Sequence, residues 1–172
     1  MVGMFASVDL SMMTLEQNKN TAERGSTLIE FTVVSGVFFM MLIGIVAGSN
    51  LYFAHNALVE ATRRAARFAA TQPANATPGT VTTGTNVGPS LTAIRNYAIY
   101  GNSAGTGPAI LSNLLPANIS VEYSSFGVGA GTVSVSITSY NYNFVIPGIN
   151  RQIAMPACRS TVTGESAGTS PP

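Results

Sequence analysis

The chain has 172 residues, of which 46% are hydrophobic and only 9% charged, with a formal net charge of +1. Soluble domains usually carry about 25% charged residues, so the balance points to a membrane-associated or extracytoplasmic chain, and the near-zero net charge gives no support to a nucleic-acid-binding surface. One cysteine (Cys158) and one histidine (His55) exclude an internal disulfide framework and leave no ligand set for a metal site.

Residues 1–25 are polar and include Asp9, Glu16, Lys19, Glu23 and Arg24. A secretory signal places its apolar segment before the cut. Here the apolar segment comes after the polar leader. "FTVVSGVFFMMLIGIVAGSNLYFA" runs from Phe31 to Ala54, close to the roughly 20 residues a membrane helix needs. The expected span is about 28–54, with Tyr52 and Phe53 at an interfacial position. Gly44 and Gly48 form a GxxxG pair, which lets a second helix approach closely. Glycine is also common in membrane helices that have no such partner.

Beyond the span, Leu51, Ala54, Leu58, Ala61, Ala65 and Phe68 recur at steps of three and four, while Asn56, Glu60, Arg63, Arg64 and Arg67 fall on another face. That spacing predicts an amphipathic helix continuing to Thr71. Glu60 stands four residues before Arg64, the favourable order for a surface pair. Gln72-Pro73 ends the run.

Residues 75–90 read as a loop, and Leu91, Ile94, Ala98 and Ile99 as a short helix stopping at Gly101. "GNSAGTGP" (101–108) lacks the Gly-Lys-Ser/Thr ending of a phosphate loop. Asn75 and Asn118 each open a glycosylation acceptor pattern. The remainder alternates as strands: Ile119, Val121 and Tyr123, then Val133, Val135 and Ile137. The apolar phase then slips to Tyr140, Tyr142 and Phe144, which predicts a bulge near Thr138-Ser139 within one strand. Pro147-Gly148 predicts a turn, and a further strand runs from Ile153 to about Val162, with Pro156 marking an edge or a break. Residues after 163 read as a frayed tail. Cys158 fits a small apolar core position, with an intermolecular disulfide as the alternative. The fold class is α+β: a long N-terminal helix, transmembrane then amphipathic, with a small C-terminal antiparallel sheet packed on its outer half.

Glu30 is the feature that composition does not explain, because a carboxylate at the start of an apolar run is costly in lipid. One reading is a capping box, with Thr27 at the N-cap and Glu30 three residues later. The other is cleavage between Gly25 and Ser26, which frees an α-amine at Ser26 that Glu30 of a neighbouring subunit would meet.

"RGSTLIEF" (24–31), the apolar run, and "LYFAHNALVEATRRAARFAA" (51–70) together resemble the TadE-like family of tight-adherence pseudopilins, related to type IV pilins. The matching features are a basic residue and glycine, a small residue, a glutamate five residues after the glycine, and an apolar helix. An aromatic–Ala–x–Asn–Ala segment and a Glu-Ala-x-Arg-x-Ala-Ala-Arg segment follow. The likeness is strongest over residues 24–70, and the acids at 9, 16 and 23 depart from a compact basic leader. It implies a pilin-like fold with a cleaved leader (1–25), an N-terminal helix (26–72) and an extracytoplasmic domain (73–172). The implied function is that of a minor pseudopilin without catalytic activity, supporting assembly of a type IV-type (Flp/Tad) pilus and surface adhesion. Prepilin peptidase, other pseudopilins and inner-membrane assembly proteins are the implied partners. No cofactor, nucleic acid or small-molecule substrate is implied. Gly25 and Ser26 take the cleavage role, Glu30 the assembly role, and Gly44 and Gly48 helix packing.

The implied location is the bacterial inner membrane, single-pass, with the C-terminal domain periplasmic or extracellular. Arg63, Arg64 and Arg67 oppose that orientation by simple charge counting, but long domains translocate largely regardless of charge. A type II secretion pseudopilin or ordinary type IV pilin shares the entry chemistry. A membrane-anchored enzyme or ligand-binding module is the reading from a different class.

Overall fold

A computed structural model of the chain describes residues 3–77, 79–127, 130–146 and 149–163, with side chains from Gly25 onward except at residues 130 and 149. The chain divides into two compact units, Met1–Val46 and Ala47–Pro172. Helix α1 covers Gly3–Thr71. In order follow β1 (Thr82–Thr85), α2 (Leu91–Tyr100), a 3₁₀ turn at Pro116–Asn118, β2 (Ile119–Gly127), β3 (Ala130–Ile137), β4 (Asn141–Ile146), β5 (Ile149–Ala154) and β6 (Cys158–Thr163). This is the expected α+β arrangement.

In the second unit α1 is rich in alanine, the best helix former. Its buried face holds Ala54, Leu58, Ala61, Ala65, Ala66, Ala69 and Ala70, all part of one hydrophobic core with α2 and the sheet. Small side chains on this face allow close approach of whatever packs on it. Of the expected stripe, Leu58, Ala61 and Ala65 are fully buried, whereas Phe68 is half-buried and stacks on Tyr97 of α2, with ring centroids 4.4 Å apart and planes within 3°. Glu60 and Arg64 form the expected surface pair at 3.7 Å. The helix ends before Pro73. Helix α2 stops at Gly101 as expected: that residue takes φ 76° and its N–H closes onto the Tyr97 carbonyl, a left-handed stop that glycine adopts without strain.

The main sheet is antiparallel with order β1-β2-β3-β6. Alternation aims Ile119, Val121, Tyr123, Val133, Val135, Ile137 and Cys158 into the core, each at most 6% exposed. The opposite face is polar. There Arg159 Nη2 donates to Glu122 Oε2 at 2.8 Å and to Ser134 Oγ at 2.9 Å, joining β6 to β2 across β3. Burial raises the Cys158 thiol above its ordinary range, in keeping with an apolar packing role.

Several local expectations change. The phase slip near residue 139 is not a bulge within one strand. Ser139 takes φ 57° and β3 ends at Ile137, after which the chain leaves the main sheet to form a separate hairpin, β4–β5. Of the two readings of Pro156 the break holds: the run from Ile153 to Val162 is not one strand but two strands in two sheets, with Pro156 in the gap between them. The loop at 75–90 contains edge strand β1. A bulge does occur, but in β2: the register with β3 shifts between Ser124 and Gly127, Ser125 takes φ 51°, and Phe126 turns back into the core. Gly131 (φ 105°) lies against this bulge, where an added Cβ would overlap the Ser125 carbonyl. The turn expected at Pro147-Gly148 and the tail after 163 lie outside the described residues.

Asparagine side chains hold the loops. Asn118 Nδ2 donates to the carbonyls of Thr138 and Ser139 at 3.2 and 3.0 Å, and its Oδ1 accepts from Leu115 N at 3.0 Å. Its amide therefore serves the fold. Asn102 closes the 101–108 loop on itself, donating to the Thr106 carbonyl and accepting from the Thr106 N–H. The Asn102 amide is thus used within the loop.

Candidate functional site at the head of the apolar helix

The backbone from Gly25 through Glu30 is helical, and the helix extends upstream of it. This decides against a capping box in the uncut chain. A cap satisfies the free N–H groups of a first turn, and Thr27 lies well inside α1 rather than at its start. Glu30 therefore needs another explanation.

The helical step brings Ser26 and Glu30 together. Ser26 Oγ donates to Glu30 Oε1 at 3.4 Å, a long bond across one turn between exposed side chains. Among the described residues, no cation pairs with Glu30. The hydroxyl at position 26 was not foreseen as a partner; the i, i+4 spacing was the available signal. Two further polar residues of the run satisfy themselves on the backbone: Thr32 Oγ1 donates to the Leu28 carbonyl at 2.7 Å and Ser35 Oγ to the Thr32 carbonyl at 3.0 Å. Such bonds let hydroxyls sit in lipid without an unsatisfied donor. Among the described residues of the apolar run, Glu30 is left with a residual demand, because one weak neutral donor does not compensate a carboxylate.

The glycines of this region are not required by the chain itself. A Cβ built at Gly25, Gly44 or Gly48 meets no other atom within 4 Å apart from the local helix backbone. Any need for a small residue at these positions comes from outside the described chain. The side chains from Leu28 through Val46 are mostly exposed and apolar, including Phe31, Phe38, Phe39 and Met40. The stretch Gly25–Thr71 contains a segment long and apolar enough to cross a membrane, by length and composition. Among the described residues, no group of three or more His, Cys, Asp or Glu side chains could hold a metal ion.

Gly25, the glutamate five residues on, the apolar run and the Arg63–Arg67 face occur in one uninterrupted helix. Residues 25–67 match the family model described as TadE-like protein. The TadE-like segment thus begins at the glycine, contains Ser26, Glu30, Gly44 and Gly48, and ends at Arg67. The residues upstream of it and the whole β-rich region lie outside the match. No curated protein and no solved structure matches the chain.

Proposed function

We propose that this chain is a TadE-like minor pseudopilin: a single-pass inner-membrane protein that supports assembly of a Flp/Tad-type pilus and surface adhesion without catalysing a reaction. The observation that carries the reading is the TadE-like segment starting at Gly25, with Glu30 exposed and lacking a described cationic partner at the head of the apolar helix. In this reading prepilin peptidase cuts between Gly25 and Ser26 on the cytoplasmic side. The new α-amine of one subunit meets Glu30 of another, and each offsets the other's desolvation in lipid. Gly44 and Gly48 face a neighbouring helix in the assembly, and residues 73–172 form the extracytoplasmic domain.

The test is N-terminal sequencing of the membrane-bound protein, wild type and Gly25→Phe. The expected wild-type N-terminus is Ser26, and the variant remains full length. Among the described residues a Cβ at position 25 meets no atom within 4 Å beyond its chain neighbours and the local helix backbone, so failure to cut would point to the protease rather than to misfolding. A wild-type chain that keeps residues 1–25, or a variant processed normally, ends the reading. A tag after Pro172 should be cleaved by protease added to spheroplasts; protection would invert the topology.

A further inference from the structure

The bond cut in the proposed processing lies inside a helix. Helix α1 is continuous from Gly3 to Thr71, and in an α-helix each N–H bonds to the carbonyl four residues back. The Ser26 N–H is therefore committed to the Ala22 carbonyl, and the Gly25 carbonyl to the Ile29 N–H. A protease binds its substrate as an extended strand, with main-chain groups free for the enzyme's own hydrogen bonds. The Gly25–Ser26 bond meets that requirement only after its turn has opened.

The sequence makes this turn the easiest place to open. Gly25 is the one glycine between Met4 and Ser35, and in a helix interior only proline is less favourable. Ser26 and Thr27 follow it directly, and Asn20-Thr21 lie about one turn upstream; all four belong to the poorer half of the helix-forming ranking. Ala22, Glu23 and Arg24 between them are good formers, as are Leu15, Glu16, Gln17 and Lys19 further upstream. Downstream, lipid enforces the helix, because an unbonded backbone group there is costly. Little else holds the turn: Ser26 Oγ reaches Glu30 Oε1 only at 3.4 Å. Nor does packing among the described residues call for a glycine, since a Cβ at position 25 meets no atom within 4 Å beyond its chain neighbours and the local helix backbone. What glycine changes in the chain itself is the stability of the helix.

We propose that Gly25–Thr27 is an opening point built into α1, unwinding between a helical leader and a lipid-held span, and that the opened state is the form the peptidase cuts. Hydrolysis then adds water across the Gly25–Ser26 bond, leaving a carboxylate on Gly25 and an α-amine on Ser26. Gly25 sets the opening equilibrium, and the rate of cutting follows it. The proposal rests on the reading of Gly25–Ser26 as the processing site.

Residues 20–22 lie outside the cut pair, so substitutions there change the helix without changing the bond. The full-length precursor, made in cells lacking prepilin peptidase, is reconstituted in lipid nanodiscs. Two rates are measured: amide hydrogen exchange over residues 21–29, and cutting by added peptidase at limiting substrate. Asn20→Ala/Thr21→Ala strengthens the helix and should slow both about fivefold. Ala22→Gly weakens it and should speed both about fivefold. Gly25→Ala should slow cutting, and Ala22→Gly added to it should recover most of the loss. Cutting that stays the same across the variants at positions 20–22 overturns the proposal. Cutting that changes while exchange does not assigns the effect to contacts of these residues with the peptidase, and overturns it too. Wild-type precursor left uncut removes the processing reading and this proposal with it, an outcome distinct from the other two, in which the wild type is cut.

Discussion

At residue 30 a charge and a hydrogen bond can be separated. Ser26 Oγ donates to Glu30 Oε1, and a Gln side-chain oxygen accepts the same bond. Glu30→Gln therefore keeps the local contact and any capping capacity but removes the negative charge. We expect this variant to be processed and inserted normally, while crosslinks between cysteines placed along residues 31–50 of neighbouring subunits fall about tenfold or more, as for loss of one partner in a desolvated charge pair. Ser26→Ala, which removes only the hydroxyl, should leave crosslinking near wild type. Unchanged crosslinking and piliation in Glu30→Gln would refute the recruitment role. The glycines of the span differ from Glu30 in having no local contact to test, because nothing among the described residues beyond the local helix backbone fills the space beside Gly44 or Gly48.

Among the elements, the outer part of α1 shows how two kinds of contact hold a helix to its domain. Ala65 has no exposed surface, and in a close-packed core a longer side chain there must displace its neighbours. Ala65→Leu should overpack this face and destabilise the second unit by about 1–3 kcal/mol. Phe68 is a different case. Full burial would make truncation cost about 3–5 kcal/mol, but the ring is half-buried and its main contact is the stack on Tyr97. We expect Phe68→Ala to cost about 2 kcal/mol, with about 0.5–1.5 kcal/mol of it coupled to Tyr97 in a Phe68→Ala/Tyr97→Ala cycle. Denaturant unfolding of the full chain in detergent measures all three variants. Equal costs for Phe68→Ala in the presence and absence of the Tyr97 ring would show that the stack contributes nothing.

For the molecule as a whole, stability should depend on pH through acidic groups buried in the core of the second unit. Burial raises the Cys158 thiol and the Tyr123 phenol, and burial together with neighbouring Tyr142 raises Tyr140, from ordinary values of 9.0 for the thiol and 10.0 for the phenols. Each is an acid held in its neutral form by the fold, so the folded state binds more protons than the unfolded state at alkaline pH. Their contribution is complete below about pH 9, and it is lost as pH rises past the ordinary values and through the raised ones. Thermal unfolding should therefore be flat with respect to these groups from about pH 7 to 8 and fall steeply above about pH 9 to 10. Cys158→Ala should remove the earliest part of that fall. A midpoint that rises across this range would contradict the burial of these groups.

Much of this protein was legible in the sequence because the signals are local. The apolar run, the Leu58–Ala61–Ala65 face, the stop of α2 at Gly101 and the alternation through Ile119–Tyr123 and Val133–Ile137 each depend on a few neighbouring residues and a fixed period. So does the placement of Glu30 one turn from Ser26. The tertiary structure decided what those elements meet. Periodicity says which face of a strand is apolar but not which strand lies beside it. The pairing of β6 with β3 across an intervening hairpin was therefore hidden, and the slip at Ser139 read as a bulge when it marks a departure from the sheet. The bulge at Ser125 was hidden for the same reason, since only the register with β3 shows that Phe126 returns to the core. The departure of β4–β5 into a sheet of its own, with Phe144, Ile146 and Ile153 half-buried, emerged only from the tertiary structure, because burial is a property of the whole packed domain and not of the segment that carries the side chain.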